Sequence, residues 1–186
     1  MCGGSDHDAA NMLPTTLPAV GTTAINYGYC GFTGTIPTEF GLLTKTTVMD
    51  LMANKLTGKI PTQLGQLRQM SSTLDLQFNW LTSAIPTQLG QLDQMGYKFT
   101  LCLNKLTSTI PTELGQLAQM TSWFSLYSNS LSSAIPTELG KLDQLRRGFQ
   151  FSTNALSSTI PTQLGQLIQM SSSFHLSENM LSSIPT

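Results

Sequence analysis

An asparagine followed seven residues later by a proline recurs at one fixed interval along this chain, at Asn54, Asn79, Asn104, Asn129 and Asn154. A sixth copy begins at Asn179, and its proline comes one residue early, at Pro185. Self-similarity at about 20–50 residues marks architectures made by stacking one supersecondary unit on the next. A unit this small cannot bury its own apolar edge, so each copy must lie against its neighbours and the chain must grow as a solenoid. The period therefore constrains the architecture before any single residue is interpreted. It constrains activity much less, because a solenoid is a surface on which unrelated sites are placed.

Residues 71–94 show how one copy is built. Leu74 and Leu76, two apart, share one face of a strand predicted over Thr73–Phe78, while Thr73, Asp75 and Gln77 share the other. Asn79 ends that strand, where a buried amide can bond the backbone of neighbouring turns, so the asparagine column is expected to form a ladder. Leu81 and Ile85 turn inward along an extended segment that Pro86 closes. Leu89, Leu92 and Met95 follow at a spacing of three, the pattern of a short helix or 3₁₀ segment with one apolar edge. Seven parallel strands are predicted, over Ala24–Tyr29, Val48–Ala53, Thr73–Phe78, Lys98–Leu103, Trp123–Ser128, Gly148–Thr153 and Ser173–Glu178. Their inward columns read Met49, Leu74, Phe99, Phe124, Phe149, Phe174 and Leu51, Leu76, Leu101, Leu126, Phe151, Leu176.

Leu-x-Leu-x-x-Asn at the centre of such a period is the leucine-rich-repeat signature. Phrases such as Leu56-Thr-Gly-Lys-Ile-Pro61 and the recurring Ile-Pro-Thr-x-Leu-Gly-x-Leu resemble the plant-type class of leucine-rich repeats, found in receptor-like proteins and polygalacturonase-inhibiting proteins. The resemblance covers residues 23–186, about seven repeats, and leaves residues 1–22 as a non-repeat segment or minimal cap in which Leu13, Leu17 and Val20 fold over the first strand. It implies a right-handed solenoid with a parallel β-sheet on its concave face and short helical or 3₁₀ and extended segments on its convex side. It further implies an extracellular or cell-surface setting and recognition of proteins, peptides or glycans. The sequence departs from the class in two ways. The step from Pro37 to Pro61 has the usual length of the class, but each later step, to Pro86, Pro111, Pro136 and Pro161, is one residue longer. The glycine expected after Leu-Thr stands only at Gly34 and Gly58, with serine at 83, 108, 133, 158 and 183.

Charged residues make up only 10% of the chain and the net charge is −1. No basic field exists to attract nucleic acid, and no apolar run of about 18 residues exists to span a membrane. The first eight residues lack the basic and apolar regions of a signal peptide. Three cysteines are too few for a disulfide framework, although Cys2 pairing with Cys30 would pin the first repeat. The repeat stops at Thr186 without a capping sequence, which reads either as a fragment or as an open edge that docks on another protein or a second copy of itself.

Three sets of residues are candidates for a site. Asp50 and Asp75 stack on neighbouring strands, but Thr100, Ser125 and Gln150 continue their column, and no histidine or metal-ligand cluster joins them. His175 with Glu178 is too small a set for a metal. No phosphate loop or nucleophile motif is present, so the expectation is a protein without catalytic residues, cofactor or metal. The second set is aromatic: Tyr97, Trp123 and Tyr127 on the concave face, Phe78 and Trp80 at its rim, and Lys98 and Arg147 alongside, an arrangement suited to anchoring a protein partner, with a glycan as another candidate. The third is a set of hydroxyl rows, Thr82, Thr87, Thr107, Thr109, Thr112, Thr137, Thr159 and Thr162, repeated at the solenoid spacing and suited to ordering water against ice. The leading expectation is a non-catalytic binding or scaffold module; the rival is an ice-binding protein.

Overall fold

Each repeat closes into one coil with three sides. A computed structural model describes residues 12–14, 18–19 and 21–182. Coils 1 to 7 open on Ala24–Asn26, Val48–Asp50, Thr73–Asp75, Lys98–Thr100, Ser122–Ser125, Arg147–Gln150 and Ser172–His175, which pair in that order as a seven-stranded parallel sheet. The strands are shorter than the sequence pattern suggests. The residue before each conserved asparagine is left-handed, as at Phe78 (φ 55°) and Leu103 (φ 55°), and that turns the chain out of the sheet. Met49, Leu74, Phe99, Phe124 and Phe149 are fully buried behind the sheet. Ring centroids in the phenylalanine column lie 5.4 Å apart at Phe99–Phe124 and 5.1 Å apart at Phe149–Phe174.

The asparagine ladder holds the turns that follow. Asn79 donates to Leu76 O (3.1 Å) in its own coil and to Leu51 O (3.0 Å) in the coil before, and accepts from Leu56 N (3.0 Å). Asn104, Asn129, Asn154 and Asn179 repeat that arrangement. Each amide thus satisfies backbone groups that the sheet leaves without partners.

The extended segments expected beyond the asparagines are themselves ordered into a sheet. Thr57–Lys59, Trp80–Ser83, Lys105–Ser108, Ser130–Ser133, Ala155–Thr159 and Met180–Ser182 pair into a second, six-stranded parallel sheet. The serines that replace glycine take up the glycine backbone: Ser83, Ser108, Ser133 and Ser158 have φ of 70–72°, beside 78° and 73° at Gly34 and Gly58. The third side is a stack of 3₁₀ segments, from Thr38–Leu42 and Thr62–Gln66 in coils 1 and 2 to Thr162–Gln166 in coil 6. Leu89, Leu92 and Met95 are fully buried beneath it. A glycine sits where successive segments meet: a β-carbon on Gly115 would lie 2.4 Å from the carbonyl oxygen of Glu138.

Leu13 is buried against the first coil, and Met12 bridges to Thr33. Cys2, Leu17, Val20 and residues 183–186 lie outside the described residues. Ile168 at the end of coil 6 and Phe174 and Met180 on coil 7 are exposed. No helix among the described residues is long and apolar enough to cross a membrane.

Candidate functional site

The concave sheet changes character between coils 4 and 5. Val48, Thr73 and Lys98 enter the sheet extended, each paired with its predecessor. In coils 5 to 7 the equivalent residue is left-handed: Trp123 (φ 53°), Gly148 (φ 80°) and Ser173 (φ 59°). Pairing resumes on both sides of it, Ser122 with Arg147 and Phe124 with Phe149. Irregularities of this kind re-aim side chains on a sheet. Gly148 has no room for a side chain, since a β-carbon there would lie 2.8 Å from both Cα and Cε3 of Trp123. The indole therefore rests on the backbone of the next coil.

A depression of about 530 Å³ opens at this break, lined by Tyr97, Lys98, Trp123 and Tyr127 together with polar residues of coils 3 to 7, His175 among them. Four of the residues expected on the concave face thus share one site. Arg147 lies beside it, with its guanidinium 5.9 Å from the Trp123 ring and Nε donating to Ser122 Oγ (3.4 Å). Phe78 and Trp80 do not line the depression. Phe78 is exposed at the end of its coil's strand, and Trp80 begins a strand of the second sheet, where Lys105 Nζ approaches its ring at 6.0 Å.

The floor of the site is polar and nearly all engaged. Asp75 is buried and pairs with Lys98, and it accepts from Thr100 Oγ1 (2.9 Å), Gln77 N (3.1 Å) and Gln77 Nε2 (3.1 Å). A carboxylate so completely bonded has no lone pair left for proton transfer. Asp50 likewise accepts from its own turn, at Met52 N (3.0 Å). Burial pushes the Cys102 thiol up to about 11, and the thiol donates to Gln77 Oε1 (3.3 Å). The Tyr127 phenol is raised as well, first by burial and then by Cys102. Ser125 Oγ is buried beside the Cys102 thiol, and its hydrogen bonding there offsets part of the burial effect on the thiol. Gln77, Cys102, Ser125, Gln150, Ser152 and His175 complete the lining. The aromatic residues alone did not point to them; the signal was their outward position at every second residue of a strand.

Glu178 accepts from Thr153 Oγ1 (2.8 Å), and no group of three or more potential metal ligands occurs among the described residues. The hydroxyl rows divide between two sides of the coil. Thr82, Thr107 and Thr159 lie on second-sheet strands, with Thr109 directly after one, whereas Thr87, Thr112, Thr137 and Thr162 open the 3₁₀ segments. In that second group Thr112 and Thr137 donate to the adjacent Glu113 and Glu138 (3.2 Å each), and Thr162 donates to Gln163 (3.4 Å).

No family model and no curated protein matches the chain. Solved structures do. The leucine-rich-repeat ectodomain of the receptor kinase GASSHO1/SCHENGEN3 from Arabidopsis thaliana, in complex with Casparian strip integrity factor 2, is 29% identical with a TM-score of 0.66; the match covers 83% of this chain and 21% of that one. The ectodomain of the Arabidopsis receptor kinase HAESA, in complex with an extended IDA peptide hormone ligand, is 28% identical with a TM-score of 0.57, covering 81% and 29%. A plant ice-binding protein is 22% identical with a TM-score of 0.59, covering 88% and 67%. The chain spans less than a third of the length of either receptor ectodomain. Fold, repeat and comparisons agree on a leucine-rich-repeat solenoid similar to those of plant receptor ectodomains.

Proposed function

We propose that the chain is a non-catalytic binding module that holds a protein or peptide partner across its concave face, centred on the depression at Trp123. The observation that carries this reading is the gathering of Tyr97, Trp123 and Tyr127 around one opening in the sheet. Large aromatic side chains with polar tips are typical anchors of protein interfaces. The peptide-bound state of the HAESA ectodomain supports the same class of ligand, and the ectodomain relatives support an extracellular or cell-surface setting. Replacing Trp123 and Tyr127 with alanine tests the proposal: capture of a partner from a native extract of the source is expected to fall at least tenfold. Undiminished capture by a folded double variant refutes it.

Ice binding is the second reading, favoured by hydroxyl residues at equivalent positions of the second sheet. The register there sets Thr82 opposite Lys59 and Lys105, and Thr107 opposite Ser130. The strands of this sheet repeat at about 4.7–4.9 Å and carry Thr57, Thr82, Thr107, Ser132 and Ser157. Lys59 and Lys105 interrupt that face. Thermal hysteresis abolished by Thr82→Lys and Thr107→Lys supports this reading, and its absence in the unmodified protein removes it.

A further inference from the structure

One column of the concave sheet changes charge from end to end. Paired residue to residue across coils 2 to 7, it runs Asp50, Asp75, Thr100, Ser125, Gln150 and His175. Asp75 is neutralised by Lys98, so the open carboxylate of the column is Asp50. Asp50 Oδ1 accepts from Met52 N, and Asp50 forms no ion pair among the described residues. At the far end Arg147 has no carboxylate partner among the described residues; its Nε reaches Ser122 Oγ and its guanidinium flanks Trp123. His175 lines the same end of the depression and adds a ring nitrogen there. Thr100, Ser125 and Gln150 leave the floor between them uncharged, with Tyr97, Trp123 and Tyr127 around it.

A uniformly acidic partner laid along this face meets Asp50, and a uniformly basic one meets Arg147, so one end of either is repelled. A neutral partner strips water from both charges and returns no interaction for it. The occupant that fits carries both signs, separated by an apolar middle. On the reading that the concave face binds, we propose that the partner contributes an extended dipolar peptide segment lying across the strands. A basic side chain sits over Asp50, an aromatic or aliphatic one enters the depression beside Trp123, and an acidic one meets Arg147 and His175. Neighbouring strands lie about 4.8 Å apart, so the four coil steps from Asp50 to Arg147 span about 19 Å. An extended chain at about 3.3 Å per residue covers that distance with roughly six residues.

The chain has two tryptophans, so Trp80→Phe leaves Trp123 as the sole indole reporter. That variant selects from a library of end-capped nonapeptides with a central tyrosine and lysine, glutamate, serine or leucine elsewhere. Selected peptides are titrated by fluorescence polarisation, with Trp123 emission reporting the site. Enriched sequences are expected to carry lysine on one side of the tyrosine and glutamate on the other. Asp50→Asn keeps an acceptor for Met52 N and removes the charge, and Arg147→Gln removes the charge at the other end. Each is expected to weaken a selected peptide about three- to fivefold, the size of one exposed ion pair, with smaller effects at high salt. Arg147→Glu is expected to shift the enriched set to peptides with lysine on both sides. No enrichment, enrichment of peptides bearing one sign of charge or none, or affinities unchanged by Asp50→Asn and Arg147→Gln overturns the proposal. If uncharged peptides enrich and lose binding when Trp123 and Tyr127 are replaced with alanine, the dipolar segment is overturned and the concave-face reading stands. Dipolar peptides that bind the double alanine variant equally well overturn both.

Discussion

Gly148→Ala tests how the concave site is built. A β-carbon at 148 would lie 2.8 Å from Trp123 Cα, 2.8 Å from Cε3 and 2.9 Å from the backbone nitrogen. Carbon atoms rest at about 3.5–4.0 Å, so these contacts are short by roughly 0.7 Å or more. Two of the three atoms belong to backbone and cannot rotate away, so coils 5 and 6 must separate locally or the strand must shift. Overpacking of this kind costs about 1–3 kcal/mol. Position 148 is also left-handed (φ 80°), which adds about 1–2 kcal/mol for a residue with a β-carbon. Removing glycine's extra freedom from the unfolded chain returns about 0.5–1 kcal/mol. The net expectation is a loss of about 1–4.5 kcal/mol, or roughly 2–18 °C in melting temperature at this chain length. In the Trp80→Phe background, denaturant unfolding and Trp123 emission should change together, because the indole rests on residue 148. The reasoning is refuted by a variant with unaltered Trp123 emission whose stability stays within about 0.5 kcal/mol of the parent, the range of an inconsequential surface substitution.

The 3₁₀ stack makes a matched pair of tests, since Leu-Gly-Gln-Leu occurs at both Gly115 and Gly165. Gly115→Ala drives a β-carbon to 2.4 Å from Glu138 O and is expected to cost about 1–3 kcal/mol by calorimetry, whereas Gly165→Ala meets nothing within 4 Å and should be near neutral. Ser108→Gly relieves a left-handed serine (φ 72°) and is expected to raise stability in denaturant unfolding by roughly 0.5–1 kcal/mol after the entropy of glycine is deducted. Cys102 gives a pH dependence: its folded value, about 11, stands above the ordinary 9.0, so the unfolded thiol ionises at a pH where the folded one still holds its proton. Stability linked to this group is therefore intact below pH 9 and is lost as pH rises to 11, by about 1.4 kcal/mol per unit. Stability across that window should fall more steeply for the parent than for Cys102→Ala.

Most of the scaffold was legible in the sequence because repetition turns weak local signals into columns. Leu74 alone is ambiguous; Met49, Leu74, Phe99, Phe124 and Phe149 at one position define a buried row. The asparagine ladder was legible for the same reason. The second sheet was not, because its strands begin in Trp80-Leu-Thr-Ser and similar segments whose alternation is short, and because serine conceals a left-handed backbone that glycine would have advertised. In the candidate site the aromatic residues stood out as the places where copies differ. The separation of Trp80 from Trp123 did not, since it depends on which sheet each coil side joins. The kink at Trp123 was equally hidden: the reason that a tryptophan sits in a left-handed conformation lies in the next coil, at Gly148.

Site-specific photo-crosslinking tests most directly whether the concave depression is the binding surface. A benzophenone side chain is placed at residue 97, on the depression, or at residue 107, on the second sheet, and each protein is irradiated in native extract. The account predicts a discrete adduct from position 97 that disappears when Trp123 and Tyr127 are replaced with alanine, and none from position 107. Adducts confined to position 107, or an adduct at position 97 that survives the double replacement, would contradict it.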